Sequence, residues 1–463
     1  MATYVQGDTR VALLSNELAV YQGNGSVALN SQRTRPLWFD GRFLAARDLA
    51  REQDYFLQRQ ADLGQSAGFG VVHGLWAYMP TASPQTPDAD VVVITAGQGI
   101  TPAGELVLLT DDLTLHLADL PDAENLDVQF GTSSIPKTPA QTRSGLYVLA
   151  LRPVEFTADP IVSYPTSVTG TRTVQDGNIV EATAVSLIPY PDPVSTYDTA
   201  QQRAALARQI FLTATASQLP DTILPVAMVS IERGVIEWID QYLVRRDAGP
   251  DYSGLRFGLT DPAAQQAFLQ QYDGQLQETV AQRRAAGLSA NFAAGNYFQA
   301  LPPAGRFPLA SMTVTGTSTA LAFSQVFFPQ QMDVRLSIIP TDEIPALIED
   351  SMSLPPIDLT LPQSAYADLA VFALIPVPRS GFAALSSSLP VISPAPTLPQ
   401  VLSFRPPIAL LRLYQGAPQP VPPTPQTNAS WASVIGSQTY GFYIRRRSSP
   451  TFVDFTAPPP IPS

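Results

Sequence analysis

Trp38-Phe39-Asp40-Gly41-Arg42-Phe43-Leu44, followed by Asp48-Leu49 and Glu52-Gln53-Asp54-Tyr55-Phe56, and closed by Gly68-Phe69-Gly70-Val71-Val72-His73-Gly74-Leu75, is the stretch on which the fold turns. Asp40-Gly41 is a turn signal between apolar flanks. Beyond it a helix is predicted over 45–64. Leu49, Phe56 and Leu63 recur there every seven residues, with Ala45 and Glu52 on the same side and Arg47, Arg51, Asp54 and Arg59 mostly outside it. This pattern predicts one buried stripe, with Gly64 as the C-cap. Phe69 to Tyr78 reads as a strand punctuated by glycine. Trp38, Phe39, Phe43 and Leu44 are then expected to anchor the helix entry, and Leu49 and Phe56 to fix the helix on that strand's sheet. Each buried large side chain would contribute roughly 1.5–3 kcal/mol. Glu52 and Gln53 are expected to hydrogen-bond strand or loop backbone.

Upstream, residues 8–36 are mixed and polar and read as an arm or short strands. Downstream, strands are predicted over 91–95, 106–109, 113–117 and 146–154, with a tight glycine-bounded turn over 97–105. Gln175-Asp176-Gly177-Asn178 carries the Asp-Gly signal of a hairpin turn. A helix is predicted over 199–216, with Leu206, Ile210 and Thr213 on one face, and a hairpin over 223–239 across Glu232-Arg233-Gly234. The next helix has Asp261 at N-cap, Pro262 at N1, a stripe of Leu269, Tyr272, Leu276 and Val280, and Gly287 at its end. Strands follow over 307–322, 325–328, 333–339, 370–376 and 408–413, with a short helix over 343–352. Residues 418–427 are too proline-rich for regular structure. The reading is α+β and predominantly β, several β-rich modules joined by a few amphipathic helices. Its divisions are a helix-plus-strand module over 1–120, a middle β domain with one helix over 121–255, a linking helix over 256–290, and a Pro-rich β region over 291–463.

Composition narrows function. The chain has 463 residues, 45% of them hydrophobic, which implies two to four domains with sizeable cores. No window approaches the ~20 apolar residues of a membrane span, and no basic and apolar leader opens the sequence, so synthesis and assembly in the cytoplasm are expected. There is no cysteine, and His73 and His116 are the only histidines. Disulfides, thiolate metal sites, cysteine nucleophiles and histidine-rich clusters are thereby excluded. A net charge of −12 argues against nucleic acid as a partner. Charged residues make up 14% of the chain, against a usual ~25%. A surface so poor in charge fits permanent contacts, whose cores are depleted of it. Lys137 is the only lysine, so the basic residues are nearly all arginine, the better partner for interface ion pairs. The 45 prolines are near twice the usual ~5%, and end strands and stiffen loops.

Motifs that suggest chemistry each have a plainer reading. Gly64-Gln65-Ser66-Ala67-Gly68 matches a nucleophile elbow, but that elbow needs strand before and helix after, and the predicted order here is reversed. Gly68, Gly70 and Gly74 only loosely resemble a dinucleotide fingerprint, and close backbone packing explains them better. His73 and His116 fall at outward positions on strands. Asp111-Asp112, Asp342-Glu343 and Glu349-Asp350 are carboxylate pairs that read as solvated turns and helix ends rather than as acid/base or calcium sites. Arg445-Arg446-Arg447 follows the aromatic run from Tyr440 to Ile444 and is a candidate interface with a neighbouring subunit. No catalytic, cofactor-binding or metal-ligating residue is assigned.

The block over 36–110 resembles a bacterial family of uncharacterised proteins. The shared pattern is the aromatic-Phe-x-Gly-x-x-Leu start, the Asp-Leu…Glu-Gln-x-Tyr helix, the Gly-Val-Val-x-Gly-Leu strand and the glycine-bounded turn at Gly97-Gln98-Gly99-Ile100. Blocks at 296–308, 327–329 and 354–359 are similar to the same proteins. A second resemblance, to the type VI secretion baseplate connector, rests on Leu37 to Leu44. The family's usual Asp near the turn is absent, and Thr101-Pro102 stands there. Members are encoded beside baseplate genes of phage tails and contractile injection systems. The resemblance therefore implies a non-enzymatic baseplate- or tail-associated structural protein of a phage-tail-like, virion-like injection particle, released or membrane-docked. Its partners would be other subunits, with a homo-oligomer as a further option and no direct membrane insertion. The motif residues are Trp38, Phe39, Gly41, Leu44, Asp48, Leu49, Gln53, Phe56, Gly70, Val71, Gly74 and Leu75. A carbohydrate- or receptor-binding tail protein and a tail-associated glycan hydrolase are the competing readings.

Overall fold

The structure, a computed structural model, describes residues 15–23, 34–83, 86–87, 90–116, 144–164, 171–193, 199–213, 219–249, 262–317, 320–388 and 431–446. Its helices are α1 (Ser15–Gly23), α2 (Ala46–Ala67), α3 (Thr199–Phe211), α4 (Pro262–Ala285), α5 (Ile344–Met352), α6 (Arg379–Ser388) and α7 (Trp431–Gly436). The N-terminal strands are β1 (Gly70–Gly74), β2 (Ala77–Tyr78), β3 (Thr81–Ser83), β4 (Thr86–Pro87), β5 (Val91–Ile94), β6 (Gly97–Ile100), β7 (Leu106–Leu109) and β8 (Leu113–His116). The middle ones are β9 (Gly145–Val162), β10 (Val174–Tyr190), β11 (Leu224–Glu232) and β12 (Val235–Asp240). The remaining strands are β13 (Ala300–Leu301), β14 (Ala304–Pro308), β15 (Met312–Thr317), β16 (Ala320–Gln325), β17 (Asp333–Pro340), β18 (Ile357–Asp358), β19 (Ala370–Val377) and β20 (Tyr440–Arg446). The chain is α+β and β-rich, as its sequence implies.

The middle sheet, ordered β10-β9-β11-β12, is covered on both faces where β9 pairs with β11, which is why β11 and the first half of β9 are apolar almost without alternation. Leu149, Leu151, Val185 and Val229 face the N-terminal strands, where they pack with Val71, Leu75, Val92, Ile94 and Val107. Leu146, Val148, Ala150 and Met228 face the other way, onto Leu206 and Phe211 of α3 and Phe268 of α4. A second four-stranded sheet, β14-β20-β19-β17, pairs β17 and β19 in parallel and the rest antiparallel. One face carries Phe307, Val334, Val371 and Tyr443 against Tyr272, Leu276 and Val280 of α4. The other carries Phe372, Leu374 and Ile444 against Ile344 and Leu347 of α5. Helix α4 therefore contributes to a core on each side of it. Buried polar groups pin it in place: Asp240 accepts hydrogen bonds from Arg203 (2.6 Å) and from Gln271 of α4 (3.2 Å), and Arg203 also bonds Glu278 of α4.

The N-terminal strands form two three-stranded sheets, β1-β6-β7 and β2-β5-β8, and the two-stranded pair β3-β4. The chain turns from the first to the second at Gly74 and Leu75, both left-handed (φ 63° and 56°). A Cβ on Gly74 would lie 2.0 Å from the Ala96 carbonyl oxygen, so glycine is required there. Leu75 is a fully buried leucine in a conformation that residues other than glycine rarely adopt. Arg245 holds this corner. Its guanidinium donates to the carbonyls of Leu75 and Gly74, both at 2.9 Å, and stacks 3.8 Å from the Trp76 ring centroid.

Several expectations are corrected. Residues 15–23 form a helix rather than an arm or strand. Helix α2 runs past Gly64 and ends at Gly68, whose φ of 92° provides the cap. Asp176-Gly177 makes no turn: it lies within β10, opposite Pro160 and Asp159 of β9, because Asp176 and Asn178 bond across the ladder to Thr157 and Asp159. The stretch over 307–322 is broken by a 3-10 turn at Leu309–Ser311 and by the β15–β16 hairpin. The Arg233-Gly234 turn between β11 and β12 is as expected, with both residues at positive φ. Asp261 and the strand expected over 408–413 lie outside the described residues, as do residues 418–427.

Replacing Arg245 by Ala removes two charge-assisted hydrogen bonds and the Trp76 stack, and is expected to cost about 3 kcal/mol in denaturant unfolding. Arg245→Lys, which retains charge but not the fork, is expected to recover no more than about half of that loss.

Candidate interaction surface

Helix α2 and the segment leading into it are held by polar contacts. Gly41 turns the chain at φ 91° and Ala45 enters the helix extended. The Trp38 indole Nε1 donates to Glu52 Oε2 at 2.9 Å. Arg42 pairs with Asp48 at 3.0 Å, donates to the Leu37 carbonyl at 2.6 Å, and lies 5.0 Å from the Trp38 ring centroid. Arg35 lies 5.4 Å from the Tyr55 ring centroid. Glu52 therefore receives a side-chain donor from the entry segment, not the strand or loop backbone expected for it, and Gln53 is exposed.

The helix meets the body at its C-terminal end through backbone. A Cβ on Gly64 would lie 2.1 Å from the Gly104 carbonyl oxygen, and one on Gly104 would lie 1.9 Å from the Ala61 carbonyl oxygen. Gln65 adds a hydrogen bond from its amide to the Ala103 carbonyl at 3.0 Å. The turn that receives the helix is rigid. Thr101 is fully buried, its hydroxyl accepts from the Glu105 amide at 3.1 Å, and Ala103 donates to the Asp221 carbonyl at 2.8 Å. Burial, then the nearby Glu155 and Asp221, push the Glu105 carboxyl above its ordinary range.

The buried stripe expected on this helix faces outward. No residue of α2 is buried. Phe43 is 93% exposed, and Leu44, Phe39 and Leu63 are all above 60%, while Leu49, Phe56 and Leu57 are close to half exposed. The reason is angular. At 100° per residue, Gly64, Ala61 and Gln65 lie roughly 80–180° around the helix from the line of Leu49, Phe56 and Leu63. The body takes the first face, and no described residue covers the second. Trp38, at 38% exposure, is the most sheltered of the expected anchors, through its polar contacts.

The other motif residues are structural. Gly70 and Val71 run beside residues 246–248, with Val71 N to Arg246 O and Ala248 N to Val71 O both at 2.8 Å. Gly74 and Leu75 form the Arg245-clamped corner. Arg445 is turned inward: it bonds the carbonyls of Pro355 and Pro356, and burial lowers its pKa. It is no free basic end. Arg446 closes β20, and Arg447 lies outside the described residues.

A second exposed feature comes from the middle sheet. β9 and β10 stay paired out to Val162 and Val174, and this distal half projects about 27 Å beyond the sheet. Phe156, Val162, Val174 and Val180 share one exposed face of it.

The motifs that suggest chemistry do not converge. Ser66 bonds the Leu63 carbonyl of its own helix turn at 2.8 Å. His73 and His116 are exposed on separate sheets. Asp112 caps the Ala96 amide, and Asp342 and Glu343 both pair with Arg379. Among the described residues no group of His, Asp and Glu is placed to hold a metal ion. A cavity of about 720 Å³ between α4 and α5 is lined by Leu269, Ile344, Ile348, Met352 and Phe442, with Glu349 as the one carboxylate among the described residues that line it. Glycoside hydrolysis uses a pair. No helix of the described residues is long and apolar enough to cross a membrane.

Gly104→Ala is expected to unseat α2 without unfolding the body. Amide exchange over 46–67 should speed up by about 10-fold or more while the thermal midpoint shifts by only a few degrees.

No protein-family model and no curated protein matches the sequence. Among solved structures the chain is similar to a type VI secretion TssK-TssF-TssG baseplate subcomplex, at 13% identity over 44% of this chain and 58% of that one, with a TM-score of 0.21. It is also similar to a crystal structure of TssK, at 12% identity over 56% of this chain and 50% of that one, with a TM-score of 0.24. A baseplate complex from the type VI secretion system gives 14% identity over 56% of this chain and 71% of that one, with a TM-score of 0.23. The chain thus spans 58% of the first of these chains. At such TM-scores the likeness bears on neither fold nor function.

Proposed function

We propose that this chain is a non-enzymatic structural subunit, baseplate- or tail-associated, of a phage-tail-like contractile injection particle, and that it acts by docking other subunits. The observation that carries the proposal is the outward apolar face formed by the entry segment and α2. Monomeric proteins rarely leave so many large apolar side chains contiguous and uncovered. The low content of charged residues agrees with a chain that ends up in permanent contacts. The resemblance of residues 36–110 to baseplate-associated proteins supplies the kind of particle. Other subunits of that particle are the partners, and assembly takes place in the cytoplasm.

A tagged copy in the native host is expected to co-purify with sheath and tube proteins. The double variant Phe43→Ser, Leu44→Ser, at the most exposed part of the entry segment, is expected to lower that recovery about 10-fold, since desolvated aromatic anchors dominate interfaces. Recovery of the chain only as a free protein, or turnover of a glycan by the purified chain, would contradict the proposal.

A further inference from the structure

Helix α2 carries a seam with the spacing of a coiled coil. Ala46, Leu49, Gln53, Phe56, Gln60, Leu63 and Ala67 follow one another at alternating steps of three and four residues, and all are exposed. In heptad terms Leu49, Phe56 and Leu63 occupy one core position, and Ala46, Gln53, Gln60 and Ala67 the other. The more sheltered residues of the helix are instead polar or flanking: Asp48, Glu52, Tyr55, Arg59 and Asp62. The chain covers both flanks of the seam itself. Trp38 and Arg42 lie on Glu52 and Asp48 on one side, and the turn at Gly104 lies on Ala61 and Gly64 on the other. Among the described residues, nothing covers the strip between.

We infer that the occupant of this strip is the same helix of a second copy of this chain, parallel and in register. The inference specifies a partner for the face on which the proposed function rests. Self-complementarity selects the occupant. An amide side chain carries both donors and acceptors, so Gln53 and Gln60 can each satisfy their own copy across a parallel seam. The same register stacks Leu49, Phe56 and Leu63 on themselves and sets alanines at both ends. An antiparallel pairing, or an all-apolar partner helix, would bury each glutamine amide against hydrocarbon without a hydrogen bond. In the parallel arrangement the flanking residues bring no like charges together: Glu52 faces Leu57 of the second copy, and Arg59 faces Gly64. The size of the contact sets its strength. A helix of 22 residues is about 33 Å long, and a strip ~10 Å wide on each copy covers roughly 700 Å² in all. That is below a standard stable interface, so the isolated chain associates weakly.

Because the chain has no cysteine, single cysteines report the pairing cleanly. In sedimentation velocity the full chain is expected to self-associate with a midpoint on the order of 10 μM. Leu63→Glu is expected to move that midpoint up by at least about 10-fold, and Arg51→Ala, on the opposite face, to leave it unchanged. Under a mild oxidant, Gln53→Cys and Gln60→Cys are expected to give disulfide-linked dimers, and Arg51→Cys none. Circular dichroism checks that each variant is folded, which exposed positions allow. Cross-linking of Ala46→Cys to Ala67→Cys in a mixture would overturn the parallel register. A chain that stays monomeric and uncross-linked throughout would overturn the self-pairing. If particle subunits were still captured through Phe43 and Leu44 in that case, the docking function would stand without it.

Discussion

Gly64 and Gly104 approach so closely that neither tolerates a Cβ, and this contact fixes where α2 can lie. It is a constraint of shape rather than of burial. Helix α2 has no buried side chain, and a helix of its length is marginal alone in water. Its position on the body follows from glycine backbone against glycine backbone at one end, while Trp38–Glu52 and Arg42–Asp48 tie the entry segment to the helix at the other. Exposed contacts of the latter kind contribute about 0.5–1 kcal/mol each. The body thereby orients the helix strongly while stabilising it weakly, and its apolar line points away from the rest of the chain.

The molecule distributes its polar and apolar groups in an unusual way. Arginines that sequence alone would leave at the surface are turned inward: Arg245 on the Gly74–Leu75 corner, Arg203 on Asp240 and Glu278, Arg445 on the carbonyls at 355–356. Large apolar side chains of the entry segment and α2 stand outside. The projecting half of β9 and β10 repeats the theme. A two-stranded ribbon is marginal in water by itself, and this one carries an apolar face that no described residue covers. Both features fit a chain whose surface is completed by neighbours.

Much of the fold was legible from local pattern. The Arg233-Gly234 hairpin and the helix that opens at Pro262 follow from turn and helix-start chemistry, which depends on a few adjacent residues. What escaped depended on distant partners. The heptad spacing of α2 says which residues share a face, but not whether that face meets its own chain. Gly64 reads equally well as a cap or as a close approach until Gly104 is placed against it, forty residues away in sequence. Asp176-Gly177 carries a turn signal that Thr157 and Asp159 override. β20 is a central strand only because its neighbours β14 and β19 lie far back along the chain. Of the candidate site, the motif was visible as a pattern of residue types, but which of its residues face the body and which face water was not. Gly70, Val71, Gly74 and Leu75 build the scaffold, while Phe43, Leu44, Leu49 and Phe56 stand on the surface.

A docking role requires that the outward face of the entry segment and α2 be covered in the assembled state. Hydroxyl-radical labelling of Phe43, Phe56 and Leu63, compared between the purified chain and intact native particles, measures this directly. Strong labelling is expected in the free chain and protection of all three in the particle. Equal labelling in both states would show that these side chains face water throughout, and would contradict the docking role.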